Sequence, residues 1–263
     1  MSDPSRPQVP RIFAVANQKG GVGKTTTAIN LGAALAATGQ KVLIIDIDPQ
    51  GNASTGLGID LGARQTTTYD ILMAGAPLAD AVQSTNVANL AIIPATTDLA
   101  SADIDLVANE RRIYLLQTAL QTPVGRSYDY VLIDCPPSLN LLTVNAFVAA
   151  DAVIVPLQSE FFALEGLSQL MLTIRDVRER ANPGLRIEGI ALTMHDARNN
   201  LARQVEEDAR ENLGDLVFET VIPRNVRLSE APSYAMPVLD YDPASRGAQA
   251  YRALAAELLA RNA

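Results

Sequence analysis

Cysteine, histidine and long apolar runs are scarce in this chain of 263 residues. Cys135 is the only cysteine, so one chain can form neither an intrachain disulfide nor a four-cysteine zinc or iron–sulfur site. The single histidine, His195, has no cysteine or second histidine to share a metal and is interpreted as a surface or structural residue. No run of about 18 apolar residues occurs, which excludes a transmembrane helix.

Basic residues are also in the minority, with 21 Lys plus Arg against 29 Asp plus Glu and a formal net charge of −8. This balance argues against a chain that binds nucleic acid through its overall charge. The content of 48% hydrophobic and 19% charged residues is sufficient for a full core. Residues 1–10 (MSDPSRPQVP) are rich in proline and are expected to form a disordered tail, not a signal peptide. Residues 11–263 are expected to form a single cytoplasmic domain.

Lysine is the rarest basic residue, because only Lys19, Lys24 and Lys41 are lysines. Two of the three lie within six residues of each other in a glycine-rich turn. Where arginine is otherwise used throughout, retained lysines suggest a chemical need for an ammonium group.

Short apolar runs alternate with stretches of helical periodicity, which predicts an α/β fold: a mainly parallel, twisted sheet with helices on both faces. The predicted strands are Ile12–Ala16, Lys41–Ile47, Leu90–Pro94, Tyr130–Asp134, Ala152–Leu157, Ile187–Thr193 and Val217–Ile222. The predicted helices are Lys24–Thr38, Ala100–Gln121, Leu139–Ala149, Leu164–Arg180, Leu201–Leu213 and Ser245–Ala260.

The strongest functional signal is VANQKGGVGKTTTAIN at positions 15–30, where a strand leads through glycines into a helix. Glycines allow successive backbone N–H groups to face phosphate oxygens, and the helix N-terminus adds partial positive charge. Lys24 can reach the β- and γ-phosphates, and the Thr25 hydroxyl can bind Mg²⁺. The GxxxxGK[ST] pattern departs at its first position, where Gln18 replaces glycine and Lys19 follows. The chain is therefore predicted to be a P-loop NTPase with a deviant Walker A motif.

Carboxylates follow two other predicted strands. In YDYVLIDCPPS, Asp134 ends an apolar strand. P-loop enzymes use an aspartate at this position to hold Mg²⁺, commonly through a water. In VLIIDIDPQGNAST, Asp46 and Asp48 lie two residues apart, so both could face the phosphate loop. Asp48 is the better candidate for orienting a water near the γ-phosphate, while for Asp46 a purely structural role is equally open. The base is expected to be adenine, because no lysine after Lys41 can supply a guanine-specific NKxD segment.

Five separated blocks together resemble the ParA/Soj family of chromosome-partitioning ATPases, within the wider MinD/ParA superfamily. They are KGGVGKTT, DIDPQGNAST, LIDCPPSLNLLTVNA, EFFALEGLSQL and IPRNVRLSEAPS, and the resemblance spans about Ile12 to Ala260. It implies a P-loop ATPase that binds ATP and Mg²⁺ and acts as a molecular switch in chromosome or plasmid partition.

The resemblance also implies roles for individual residues. The nucleotide would be bound by Lys19, Gly20, Gly21, Val22, Gly23, Lys24, Thr25 and Thr26, with Pro223, Arg224 and Asn225 close to the adenine. Lys19 would reach the nucleotide of the partner subunit in an ATP-bound sandwich homodimer. Lys19, Lys24 and Asp48 would serve catalysis, and Thr25 and Asp134 would hold Mg²⁺, the latter through water.

The implied partners are nonspecific double-stranded DNA and a ParB-like centromere-binding protein that stimulates slow hydrolysis. The DNA contacts match Arg198 and Arg227, with Arg224 and Arg246 as weaker candidates. Arginine contacts to phosphate explain nonspecific binding, since the DNA backbone is the same everywhere. The protein is therefore expected in the cytoplasm, associated with the nucleoid and not with a membrane.

Several relatives share this P-loop and define the alternatives. A MinD-like protein needs a basic amphipathic C-terminal helix for the membrane, but here Tyr251, Leu254, Ala255, Leu258 and Leu259 form a stripe expected to pack in the core. A nitrogenase-type iron protein needs more cysteines, and the arsenite pump is a duplicated chain. A MinD-like or other cargo-positioning ATPase and a P-loop metabolic ligase stay open as alternatives.

Overall fold

The structure is a computed structural model that describes residues 9–107, 109–159 and 163–262, with the backbone alone described at 103 and 163–166. The predicted tail 1–10 therefore lies almost entirely outside the described residues, as do Glu160, Phe161 and Phe162 of the fourth block. The seven strands are β1 (Arg11–Val15), β2 (Val42–Asp46), β3 (Gln83–Ser84), β4 (Leu90–Ile93), β5 (Tyr130–Asp134), β6 (Ala152–Gln158) and β7 (Arg186–Thr193).

Twelve α-helices connect and follow these strands in the described part of the chain. They are α1 (Lys24–Ala37), α2 (Asn52–Gly56), α3 (Thr68–Ala74), α4 (Leu78–Ala81), α5 (Ala102–Asp105), α6 (Leu115–Leu120), α7 (Leu141–Ala149), α8 (Ala163–Arg180), α9 (Asn200–Leu213), α10 (Val226–Glu230), α11 (Val238–Tyr241) and α12 (Arg246–Arg261). The strands form one sheet in the order β3-β4-β2-β5-β1-β6-β7, and every pairing is parallel except that of β3 with β4.

Both faces of the sheet are covered, because side chains alternate along each buried strand between two apolar clusters. Phe13 on β1 and Ile44 on β2 pack into a cluster with α1 and α12. Ala14 and Ile45, one residue further along each strand, pack into the opposite cluster with α6, α7 and α8. The predicted mainly parallel α/β sheet with helices on both faces is confirmed.

Two of the predicted elements are wrong. Val217–Ile222 is not a strand: Val217 makes one isolated bridge to Ile190, and the Glu219 and Thr220 amides donate to the Glu257 carboxylate on α12 instead of to a neighbouring strand. The Phe218 and Ile222 amides do donate to carbonyls of β7, but between them a side chain from a distant helix takes the Thr220 amide that a continuous strand would pair.

The predicted helix Ala100–Gln121 is broken into α5 and α6. Asn109 lies in the gap, and its side-chain oxygen accepts a hydrogen bond from the Arg111 amide. This local turn competes with helix, and Asn145 of α7 holds the turn by donating to the Arg112 carbonyl.

The last helix does what its apolar stripe predicts. Tyr251, Leu254, Ala255 and Leu258 of α12 are buried and Leu259 is partly buried, all within the cluster that contains α1. The Tyr251 hydroxyl lies 3.1 Å from Thr27 Oγ1 on α1. The stripe is thus part of the core of this chain. No helix in the described ranges is long and apolar enough to cross a membrane.

Candidate nucleotide-binding site

The glycine-rich loop runs from the end of β1 to the start of α1. Gly21 and Gly23 have φ of 75° and 86°, a left-handed conformation that glycine adopts without strain. Gly23 is the N-cap of α1 and no side chain caps this helix end. The first amides of α1 therefore face the loop, as an anion-binding helix N-terminus requires.

Two polar side chains fasten this loop to the sheet. Asn17 is buried at the end of β1, where its Nδ2 donates to the Pro156 carbonyl at 2.7 Å and its Oδ1 accepts from the Lys19 amide at 3.0 Å. Thr193 at the end of β7 donates to the Val22 carbonyl at 2.8 Å. Sequence reasoning missed both residues, although a polar Asn17 directly after a buried strand was a usable signal.

Lys24 is folded into the loop. Its side chain is buried, and its Nζ donates to the Lys19 carbonyl at 3.0 Å. Burial lowers the pKa of Lys24, and the nearby Asp134, Cys135 and Asp48 oppose that shift. The ammonium group is thus held inside the loop, next to acidic groups, while Lys19 itself is partly exposed.

Asp134 is a buried carboxyl group whose ionised form is poorly stabilised by its surroundings. It is fully buried, and neither of its carboxylate oxygens has a hydrogen-bond partner among the described residues. Burial and the neighbouring Asp46 raise its pKa well above the usual range, against the opposing effects of Thr25 and Lys24. An unpartnered buried carboxylate is costly unless a cation or ordered water meets it.

These residues fit a magnesium ion held mainly by other ligands. Thr25 supplies a hydroxyl at the start of α1, and Asp134 supplies two oxygens that accept no well-formed hydrogen bond within the described ranges. Within the part of the chain that the structure describes, no group of three or more His, Cys, Asp or Glu side chains could hold a metal by itself. This arrangement suits Mg²⁺, which keeps several waters and is bound through one or two protein groups plus phosphates.

The two aspartates after β2 have different surroundings. Asp46 is fully buried and accepts hydrogen bonds from the Ser54 amide at 2.9 Å, the Ser54 hydroxyl at 2.7 Å and the Asp48 amide at 3.2 Å. Burial raises the pKa of Asp46 to about 6, against the effect of the hydrogen bonds from Ser54. Asp46 thus holds the following loop, and the structural interpretation is the one its contacts support.

Asp48 lies in the loop between β2 and α2. Its carboxylate Oδ1 accepts from the Gln50 amide at 3.0 Å, and its side chain is 7% exposed. In the described residues Asp48 accepts no other side-chain hydrogen bond, so one of its oxygens is available to a water. This is the geometry that a water-orienting carboxylate needs.

Arg64 holds the segment that carries Asp48, and sequence reasoning missed it. Its guanidinium is buried and donates to the Ile59 carbonyl at 3.0 and 2.8 Å, the Ala95 carbonyl at 2.9 Å and the Thr55 hydroxyl at 2.8 Å. Gly51, with φ of 62°, leaves the space, since a Cβ there would lie 2.4 Å from Arg64 Nη1. Arg64 therefore ties the loop after β2 to the end of β4.

A cavity of about 520 Å³ opens beside the start of α1. Gly23 and Thr26 line one side, and the predicted adenine residues Pro223, Arg224 and Asn225 line another. The Asn225 side chain caps α10 by accepting from the Arg227 amide at 2.9 Å. The structure thus brings the two predicted nucleotide segments, which are about 200 residues apart in sequence, to a common cavity.

His195 directly follows Met194, which lines this cavity. Its amide donates to the Ile222 carbonyl and its carbonyl accepts from the Arg224 amide. Its Nε2 lies 3.0 Å from Glu206 Oε2, although the geometry between them is not that of a good hydrogen bond. The structural interpretation of His195 agrees with these contacts.

The four predicted DNA-binding arginines are exposed, and two of them are paired with carboxylates. Arg198 is 91% exposed and makes a two-pronged contact with Asp196, at 3.0 Å for both nitrogens. Arg227 lies 2.8 Å from Glu230 and 3.2 Å from Asp242. Arg224 and Arg246 are also exposed, the latter at the first position of α12.

These arginines lie on adjoining elements. The Arg224 amide bonds to the backbone of the turn before α9, which carries Arg198. Gly247 at the start of α12 leaves space for Leu228 of α10, the helix that carries Arg227. The backbone segments that carry the four arginines therefore adjoin one another, from the turn after β7 through α10 to the start of α12.

The role of Arg64 can be tested by unfolding. Arg64→Met keeps most of the side-chain volume but leaves the Ile59 and Ala95 carbonyls without their donor, so we expect a loss of about 2–4 kcal/mol of unfolding free energy. Urea denaturation measures the loss. Arg126→Met, at an exposed position, is the matched control and should change stability by less than about 0.5 kcal/mol. Equal effects of the two substitutions would contradict the assigned role.

Comparison with known proteins agrees with this geometry. A family model described as an AAA domain matches residues 10–187. The chain is 60% identical over 252 residues to the chromosome partitioning protein ParA of Caulobacter vibrioides (strain NA1000 / CB15N), covering 95% of this chain and 94% of that protein. It is 54% identical over 250 residues to the sporulation initiation inhibitor protein Soj of Bacillus subtilis (strain 168), covering 95% and 98%.

The fold is shared with solved structures. A crystal structure of cobyrinic acid a,c-diamide synthase from Mycobacterium smegmatis, with bound ADP and magnesium, aligns with a TM-score of 0.83 and 38% identity over 95% of this chain and 94% of that one. The identity to the two partitioning relatives is higher over the same share of the chain. With a family model over more than half of its length and relatives of this similarity, the chain belongs to the ParA/Soj family of chromosome-partitioning ATPases.

Proposed function

We propose that this protein is an ATP-driven switch for DNA partition: an ATP-bound sandwich dimer binds DNA without sequence preference, and hydrolysis stimulated by a ParB-like partner releases it. The observation that carries the proposal is a phosphate loop with two lysines beside a buried carboxylate whose oxygens make no well-formed hydrogen bond to any residue that the structure describes. Lys24 lies inside the loop and Asp134 lies at the adjacent strand end. The relative solved with ADP and magnesium supports ATP and Mg²⁺ as the cofactors.

The chain's own residues divide the work at the nucleotide. The amides from Gly20 to Thr26 bind the phosphates, and Lys24 exchanges the Lys19 carbonyl for phosphate oxygens. Thr25 and, through water, Asp134 would hold Mg²⁺, which neutralises charge on the phosphates. Asp48 orients the attacking water, and the cavity at Pro223, Arg224 and Asn225 takes the adenine.

Hydrolysis ends DNA binding because the two subunits are joined through the two nucleotides. Lys19 of each subunit contacts the nucleotide of the other, so loss of the γ-phosphate removes contacts across the dimer. The proposal places the protein on the nucleoid while ATP is bound. An ATPase that positions another cargo would use the same nucleotide site, and the adaptor protein would distinguish the two.

DNA phosphates must compete with the carboxylates that now hold the arginines. Arg198 is bound by Asp196 and Arg227 by Glu230 and Asp242. Hydrogen bonds from the Arg198 side chain and amide lower the pKa of Asp196 to about 2. These ion pairs are exposed and therefore weak. When two subunits present their arginines together to one DNA, its phosphates can displace the carboxylates.

The DNA contacts are tested by charge reversal. We expect Arg198→Glu and Arg227→Glu each to weaken ATP-dependent binding of random duplex DNA by about tenfold or more, while nucleotide binding survives. Arg126→Glu is the control with the same charge change. Arg126 precedes β5 and so lies at the amino ends of the strands, whereas the phosphate loop lies at their carboxyl ends. Gel shifts with ATP, ADP and no nucleotide over a salt series give the affinities. Loss of nucleotide binding together with DNA binding would mean that the arginine is structural.

The contact of Lys19 across the dimer is tested by sedimentation. We expect Lys19→Ala to remove the ATP-dependent dimer, because the partner's nucleotide loses its ammonium contact. Lys41→Ala is the control, since Lys41 is exposed just before β2 and is the one remaining lysine. An unchanged dimer in Lys19→Ala would refute the trans contact.

The role of Asp48 is tested by trapping. We expect Asp48→Ala to slow ATP hydrolysis at least about 100-fold, within the usual range for a lost general base, and to leave the ATP dimer on DNA. Single-turnover hydrolysis and the DNA dissociation rate measure the two effects. Asp46→Asn should instead lower stability, because Asp46 holds Ser54. An Asp48→Ala protein that fails to dimerise would contradict the assignment.

A further inference from the structure

A groove lies on the surface between α8 and the edge strand β7, far along the sheet from β2 and β4. Its volume is about 700 Å³. The centre is apolar: Met171 and Leu172 on α8 are 39% and 43% exposed, and Ile187 and Leu216 face them. Adjacent exposed apolar side chains that line a groove are a feature of protein interaction sites.

The rim of this groove is basic. Arg175 and Arg178 of α8 and Arg186 of β7 line it, and no acidic residue does so in the described part of the chain. Arg178 makes no ion pair among the described residues, and the contact of Arg175 with Glu179 is long, at 3.9 Å, between two well-exposed side chains. Arg186 is paired with Glu188 at 2.9 Å. A basic rim is unusual in a chain whose net charge is −8.

The shape fits an amphipathic helix. Ser168, Met171, Leu172, Arg175 and Arg178 recur at the three- and four-residue spacing that places them along one face of α8. This stripe runs from Ser168 to Arg178, a distance of about 15 Å along the helix, beside a strand edge. Helix-in-groove recognition uses apolar anchors at the same spacing on the ligand.

Charge selects the occupant. We propose that the groove between α8 and β7 is a docking site for an acidic amphipathic helix of a partner protein, whose apolar side chains contact Met171 and Leu172 and whose carboxylates pair with Arg175 and Arg178. An apolar floor adds nothing to phosphate contacts, so duplex DNA is the less favoured ligand. The site goes beyond the proposed partition function, because the rim repels the basic segment expected of a ParB-like partner.

The test uses fluorescein-labelled synthetic helices in anisotropy titrations of the full chain. One peptide carries leucine on one stripe and glutamate elsewhere, and a second replaces every glutamate with lysine. We expect the acidic peptide to bind at least tenfold more tightly than the basic one, and the difference to shrink as NaCl rises from about 0.05 to about 0.5 M. Absence of saturable binding of the acidic peptide, or equal binding of both, overturns the proposal.

Arginine reversals locate the electrostatic contact. We expect Arg178→Glu to weaken binding of the acidic peptide about tenfold, while Arg180→Glu, an exposed arginine of the same helix that does not line the groove, changes it less than twofold. Equal effects of the two substitutions overturn the site. So does an Arg178→Glu protein that loses binding of random duplex DNA and keeps binding the peptide.

Methionine signals locate the apolar contact without any loss of folding. The chain has five methionines, so the NMR spectrum of protein labelled at the methionine methyl groups should contain five methyl signals. The signal that disappears in Met171→Leu is that of the groove methionine. The acidic peptide should shift the Met171 signal and leave those of Met73, Met194 and Met236 in place. A shift at Met194, which lines the nucleotide cavity, without one at Met171 would place the peptide elsewhere and overturn the proposal.

Discussion

The common end point of three central strands determines most of this site. Val15 of β1 and Asp46 of β2 are both register partners of Asp134 in β5, so the three strands stop at the same level. Parallel strands place their carboxyl ends at one edge, and ligands bind there where strand order reverses. In this sheet β1 lies between β5 and β6, and the loop after β1 is the one rich in glycine. The strand register alone therefore brings the phosphate loop, Asp46 and Asp134 together.

Burying these charges together sets the electrostatics of the site. Burial lowers the pKa of Lys24 and raises that of Asp134, and each opposes the shift of the other. One ammonium faces Asp134 and Asp48, while Asp46 is satisfied by Ser54 and by the loop amide. Asp134 therefore has the least compensation for a negative charge, and its ionised form is the one that a divalent cation would stabilise most. Two buried carboxylates of the same chemistry thus acquire different roles from their hydrogen bonds.

Motif spacing predicted which segments lie together at the candidate site, because a short phosphate loop and strand-end carboxylates are local features of the chain. The alternation of apolar runs predicted six of the seven strands that the structure describes, and it missed the two-residue β3. It failed where distant side chains decide the outcome: Glu257 takes the amides of residues 219 and 220, and Asn109 breaks the helix expected at Ala100–Gln121. Arg64 was invisible for the same reason, since its three acceptor residues are fixed by the tertiary structure and not by a motif.

The meaning of net charge depends on where each arginine lies. Asp196, Glu230 and Asp242 partly neutralise Arg198 and Arg227. The proposed DNA-binding surface therefore carries acidic as well as basic side chains. Arg178 has no such partner among the described residues, and it borders an apolar floor. A paired arginine favours reversible contact with a strong polyanion, because the phosphates must displace a carboxylate. An unpaired arginine beside apolar side chains favours a ligand that supplies both carboxylates and apolar groups, which a protein helix does and DNA does not.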